Sequence, residues 1–150
     1  MLRSRRQFTF EATRRLAGCS LAALLLVPGC GSDGRTRYRL SGKITFAGQP
    51  IPKGIIYFDP DVAQGNDGPQ GFAIIENGSF DTKNLGQGTS GGAHLARVFG
   101  CDGIEGPEAP MGRPIFPEYT LAVTLPAEES TLDLEVPRAA LTPAPGRVNP

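Results

Sequence analysis

The sequence predicts an all-β fold, a sandwich of about seven short antiparallel strands behind an N-terminal signal segment. Three observations lead there. The 20 glycines and 14 prolines among 150 residues break the chain too often for long helices, and there is no Trp. Apolar and polar residues alternate at period two over several short runs, as in half-buried strands. Turn signatures, above all an Asn-Gly pair, stand between those runs.

Residues 1–29 read as an export signal. Arg3, Arg5, Arg6, Arg14 and Arg15 precede the apolar run Leu16 to Val27, with Glu11 the single acid among them. That run has the length of a signal h-region and falls short of the roughly 20 residues that span a bilayer. It ends in Val27-Pro28-Gly29-Cys30-Gly31-Ser32, which resembles a lipobox, where a cysteine is acylated and becomes the new N-terminus. Pro28 departs from that pattern. Leu16-Ala17-Gly18-Cys19 fits it better locally but precedes the apolar stretch, so Cys30 is the expected lipidation site. A cytoplasmic protein with an amphipathic N-terminal helix is disfavoured, because Leu24-Leu25-Leu26-Val27 offers no polar face. Ser4-Arg5-Arg6-Gln7-Phe8 resembles a twin-arginine export signal, with Arg5 and Arg6 as its pair; a basic n-region for the general secretory route is the alternative.

Residues 30–36 are expected to be a polar tether, residues 37–137 the β domain and residues 138–150 a disordered, proline-rich tail. The first strand places Tyr38, Leu40, Gly42, Ile44 and Phe46 on one face and Arg37, Arg39, Ser41, Lys43 and Thr45 on the other. Ala47-Gly48-Gln49-Pro50 is a turn. Ile55-Ile56-Tyr57-Phe58 is apolar on both faces, which predicts deep burial until Asp59-Pro60. Asp61 to Gln70 is a polar loop. Phe72 to Ile75 and the strand opened by Phe80 flank Glu76-Asn77-Gly78-Ser79, a hairpin turn whose Asn-Gly pair tolerates positive φ. Asn84 to Gly92 reads as a mobile glycine-rich loop, and Ala93 to Phe99 as a strand. After a long loop, Tyr119 to Leu125 and Thr131 to Val136 are strands that Pro126 to Ser130 is expected to join as a hairpin.

The net charge is zero, but beyond Cys30 ten basic residues face fourteen acidic ones. Phosphate binding needs a concentrated basic face, so nucleic acid is not an expected partner.

The ordered set Gly-Gln-Pro-Ile, Gly-Ile-Ile-Tyr-Phe-Asp-Pro, Glu-Asn-Gly-Ser-Phe, Gly-Gly-Ala-His-Leu-Ala-Arg-Val, Ile-Phe-Pro-Glu-Tyr and Leu-Asp-Leu-Glu-Val covers about Tyr38 to Val136. It resembles the small planctomycete-type lipoproteins with a carboxypeptidase regulatory-like, or transthyretin-like, domain. The resemblance implies an Ig-like or transthyretin-like sandwich at the cell envelope and no established chemistry. His94 replaces a Tyr common in such strands, and Cys101-Asp102-Gly103 falls outside the pattern.

The single His94 weighs against catalysis and metal binding. Zinc takes about three or four nitrogen or sulfur ligands. Transthyretin-like dioxygenases use two His and two Tyr, and the related hydrolases carry a C-terminal Tyr-Arg-Gly-Ser motif that this chain lacks. No Gly-x-Ser-x-Gly elbow accompanies His94. Asp59-Pro60-Asp61 with Asn66-Asp67-Gly68 offers oxygen ligands, but Gln70 stands where a calcium loop would close with Glu. Cys101 is the one thiol left after Cys30 is acylated and the signal removed, and it is expected to be a buried or inert thiol, with an intermolecular bridge as the alternative. No cofactor, no metal and no catalytic residue are therefore expected. The expected role is a lipid-anchored, extracytoplasmic structural or interaction module. A carbohydrate- or peptide-binding module is the alternative, with Phe116, Tyr119 and the Asn84 to Gly92 loop as its exposed patch, and a hydrolase comes third. The expected partners are the membrane, through the anchor, and a cell-envelope protein or polysaccharide.

Overall fold

In the computed structural model, which describes residues 34–141, the alternating segments become strands and no α-helix occurs among the described residues. The strands are β1 (Leu40–Phe46), β2 (Gln49–Pro50), β3 (Lys53–Pro60), β4 (Gly71–Glu76), β5 (Ser79–Asp81), β6 (Gly92–Cys101), β7 (Tyr119–Leu125), β8 (Ser130–Thr131) and β9 (Leu134–Val136). The fold is all-β, as the sequence predicts. Seven strands have three residues or more, while β2 and β8 have two each, too few to show a period.

Turn chemistry fixes the hairpins. Asn77 and Gly78 have φ of 51° and 71°, the geometry of a type I′ turn, and Ile75 accordingly pairs with Phe80. Ala47 and Gly48, at 50° and 78°, reverse the chain between β1 and β2. The sheet runs β2-β1-β5-β4-β3-β6-β7, with β3 between β4 and β6 at its centre. It curls over one face. Leu40, Ile44, Ile56, Phe58, Ile75, Phe80 and Val98 are sealed there, with Leu134 and Val136 of β9 in the same core.

The end of the chain departs from expectation. Tyr119–Leu125 and the segment after Ser130 form no hairpin: among the described residues β7 pairs with β6 alone, whereas β8 and β9 cross to β1 and pair with it in parallel. The sandwich is therefore not wholly antiparallel. Alternation states which face of a strand is buried, and carries no information about its neighbour.

Three boundaries also move. The glycine-rich loop is pinned: Thr89 bridges Tyr38, Gln87 bridges Phe72, and Thr89 is buried. A Cβ on Gly86 or Gly88 would come within 2.4 Å of Phe72 O or 2.5 Å of Tyr38 O, so these glycines allow close backbone packing. The tether ends early, because the Arg35 guanidinium bonds the Asp67 carboxylate at 3.1 Å. The expected disordered tail begins instead with a 3-10 turn over Arg138–Leu141, and Ala140 packs against the core. Residues 142–150, like the signal segment with Arg5, Arg6 and Cys30, lie outside the described residues.

Candidate functional site

Strand β3 positions two different surfaces because its side chains alternate. Ile56 and Phe58 turn inward and are fully buried, while Ile55, Tyr57 and Asp59 face outward and are only half-buried. Register extends this outer surface across the sheet. Ile55 stands between Ile74 of β4 and Phe99 of β6, and Tyr57 stands between Phe72 and Arg97. The outcome is a half-covered apolar face.

Its aromatic centre is ordered. The Tyr57 ring lies 6.3 Å from Phe72 and meets Phe99 edge to face at 5.9 Å. The Arg97 guanidinium sits 5.2 Å from the Tyr57 ring centroid, within cation–π range. Arg97 also donates to the Asp59 carboxylate, which accepts a second hydrogen bond from Gln70, and Glu118 lies 3.7 Å from the guanidinium. Burial works against the Asp59 charge, but the bonds from Arg97 and Gln70 outweigh it and hold its carboxyl below the usual range. The same bond raises the Arg97 guanidinium above its ordinary value. Such half-exposed pairs add about 0 to 1 kcal/mol each, so their role is to fix Arg97 over the ring.

Beside this face, the loop from Asp102 to Glu118 leaves a cleft of about 390 Å³, walled by Ile55, Tyr57, Phe99, Met111, Phe116 and Pro117. Cys101 lines it as well and is buried. Burial first, then the neighbouring Asp102, push the Cys101 thiol up, away from the thiolate form that reacts.

The aromatic patch expected from sequence does not form. Phe116 is 4% exposed, stacks 4.8 Å from Phe46 and lies on Gly100, where a Cβ would come within 2.6 Å of its ring. Tyr119 is half-buried and packs against the same core. The usable aromatics are Tyr57, Phe72 and Phe99. Their sequence signal was apolarity on both faces of the central strands, which also fits complete burial.

No protein-family model and no curated protein matches the chain.

His94 faces inward and is fully buried. Its Nδ1 donates to Gly92 O at 3.0 Å, and its Nε2 meets no hydrogen-bond partner among the described residues. Asn66 braces this corner by donating to Gly91 O and Ala93 O. The carboxylates of the suspected calcium loop diverge: Asp59 is held by Arg97, Asp67 by Arg35, and Asp61 caps the turn at Ala63. Among the described residues, no group of three His, Cys, Asp or Glu side chains is placed to hold a metal ion.

His94→Ala is expected to lose about 1 to 3 kcal/mol of stability, through lost packing and the orphaned Gly92 carbonyl. Denaturant unfolding measures it. A loss near zero would mean that the imidazole contributes nothing to the core.

Proposed function

We propose that the chain is an extracytoplasmic lipoprotein, acylated at Cys30, whose β domain is a non-catalytic interaction module for a cell-envelope protein. The carrying observation is the outer face of β3, β4 and β6: an ordered apolar surface beside an apolar cleft, rimmed by Asp59, Gln70, Arg97 and Glu118. An apolar core with a polar rim is how protein interfaces are built, and buried aromatics dominate their affinity. An apolar segment of a partner protein suits the cleft. Polysaccharide is less suited, because stacking a sugar on Tyr57 has to displace Arg97 from its ring.

The anchor complements this reading. Arg35 follows Cys30 by five positions, a reach of at most about 18 Å, so acylation would keep the end of the domain at Arg35 and Asp67 close to the membrane. Two acyl chains hold a protein stably where one is marginal. Cys30→Ser is expected to release the protein from the membrane or to leave the precursor uncut. Mass spectrometry of the mature N-terminus checks it, and a chain beginning at Cys19 or retaining Met1 would refute the anchor.

For the interaction face, a photo-cross-linking residue at Gln70 is expected to capture a discrete envelope protein in cells. Phe99→Asp, at unchanged thermal midpoint, is expected to abolish that adduct. An adduct indifferent to Phe99→Asp, or none at all, would remove this reading. An ester, amide or ureide hydrolase activity lost in His94→Ala would replace it with an enzymatic one.

A further inference from the structure

The sheet ends at β7, whose second edge pairs with nothing among the described residues. Its seven residues, Tyr-Thr-Leu-Ala-Val-Thr-Leu, include no charge and no proline, the devices by which proteins ordinarily protect a free edge. Its burial is incomplete in an informative way. On β6 the inward His94, Ala96 and Val98 are fully sealed, while their partners on β7, Val123, Leu121 and Tyr119, are only half-buried. One more strand beside β7 would cover them.

The segment also has a symmetry of its own. Read in either direction from Ala122, it gives an aliphatic residue, then Thr, then a large apolar residue: Leu121 and Val123, Thr120 and Thr124, Tyr119 and Leu125. We propose that β7 is a self-association edge at which a second copy of this chain adds antiparallel, about a two-fold axis through Ala122.

Ala122 then faces its own counterpart, and every other pair joins apolar to apolar or Thr to Thr, the cross-strand combinations that stabilise a sheet. Pro117 and Pro126 lack N–H groups and bound the ladder at both ends. Glu118 lies next to its own Arg97 at 3.7 Å, and in this register it falls opposite Pro126 of the other copy, so no like charges meet. A foreign extended peptide also fits an open edge. The palindrome favours the second copy, and an isologous contact consumes both edges and closes the assembly at two. The inference is independent of the outer-face reading, since none of the paired residues, Tyr119–Leu125, lines the cleft.

The test uses the full-length chain in membranes. In a Cys101→Ala background, Ala122→Cys is expected to give a covalent dimer with a short thiol-specific cross-linker, and Lys83→Cys, at an exposed site, is not. In sedimentation of the detergent-extracted protein, Ala122→Lys is expected to weaken self-association at least about tenfold, because like charges then face each other across the axis. Ala122→Glu should behave likewise, and mixing the two variants should restore the dimer. Thermal midpoints matching the unsubstituted chain separate this effect from unfolding. Cross-linking at Ala122→Cys no greater than at Lys83→Cys, self-association unaffected by Ala122→Lys, or failure of the mixture to pair would each overturn the proposal.

Discussion

Phe58→Asp and Ile56→Asp are each expected to unfold the domain, while Lys43→Asp leaves it folded. Phe58 and Ile56 are fully buried in the middle of the central strand, and Phe58 packs 5.9 Å from Phe80 across the core. A carboxylate there has no partner and no water, and burying it costs several kcal/mol besides the lost apolar contacts. That is comparable to the roughly 5 to 15 kcal/mol by which a domain is stable at all. Lys43 is exposed on β1, and its backbone N–H, not its side chain, donates to Asp133. Circular dichroism through a thermal ramp measures all three. Equal midpoints would show that the inward face of β3 has been assigned to the wrong residues.

The second large effect comes from adding a single methyl group. Gly54 on β3 pairs with Gly100 on β6, and a Cβ on Gly54 would stand 2.1 Å from the Phe99 carbonyl oxygen. Both strands sit inside the sheet, so the obstructing backbone cannot move without breaking the ladder. Gly54→Ala is therefore expected to cost about 3 kcal/mol or more, the upper range for overpacking. Gly106 is the control: a Cβ there meets nothing within 4 Å, and Gly106→Ala should be almost neutral. Urea unfolding of the two variants gives the comparison, and equal losses would mean that β3 and β6 approach less closely than Gly54 and Gly100 allow.

These two cases show what could be read in the sequence. Deep burial of Ile56 and Phe58 is readable because the run from Ile55 to Phe58 is apolar on both faces and bounded by turns, and Asn77-Gly78 identifies its hairpin because few other residue pairs adopt positive φ twice. Long-range pairing was not legible. Nothing in Leu132, Leu134 and Val136 distinguishes a strand that turns back on Tyr119–Leu125 from one that crosses to β1. Gly54 illustrates a further limit, since its need for space depends on Phe99, 45 positions away in sequence. The candidate site is hidden for a related reason: the sequence offers Phe116 and Tyr119 as aromatics of an exposed patch, whereas Phe116 fills the space that Gly100 leaves open. For Tyr57 and Phe99 the sequence shows apolarity and not how incompletely the neighbouring loop covers them.

The parallel contact between β1 and β9 bears on the order of assembly. Ile44 meets Leu134, and the Lys43 amide reaches the Asp133 carboxylate, a separation of 90 residues. Local turns such as Asn77-Gly78 form in microseconds, but a link of that span waits until Leu134 to Val136 have left the ribosome. Until β9 arrives, β1 presents Ile44 and an open edge to whatever is nearby. A polypeptide interrupted before Leu134 would retain most of its hairpins and still lack the latch that shuts its first strand, which makes truncated products and stalled intermediates the species most exposed to proteolysis and to mispairing.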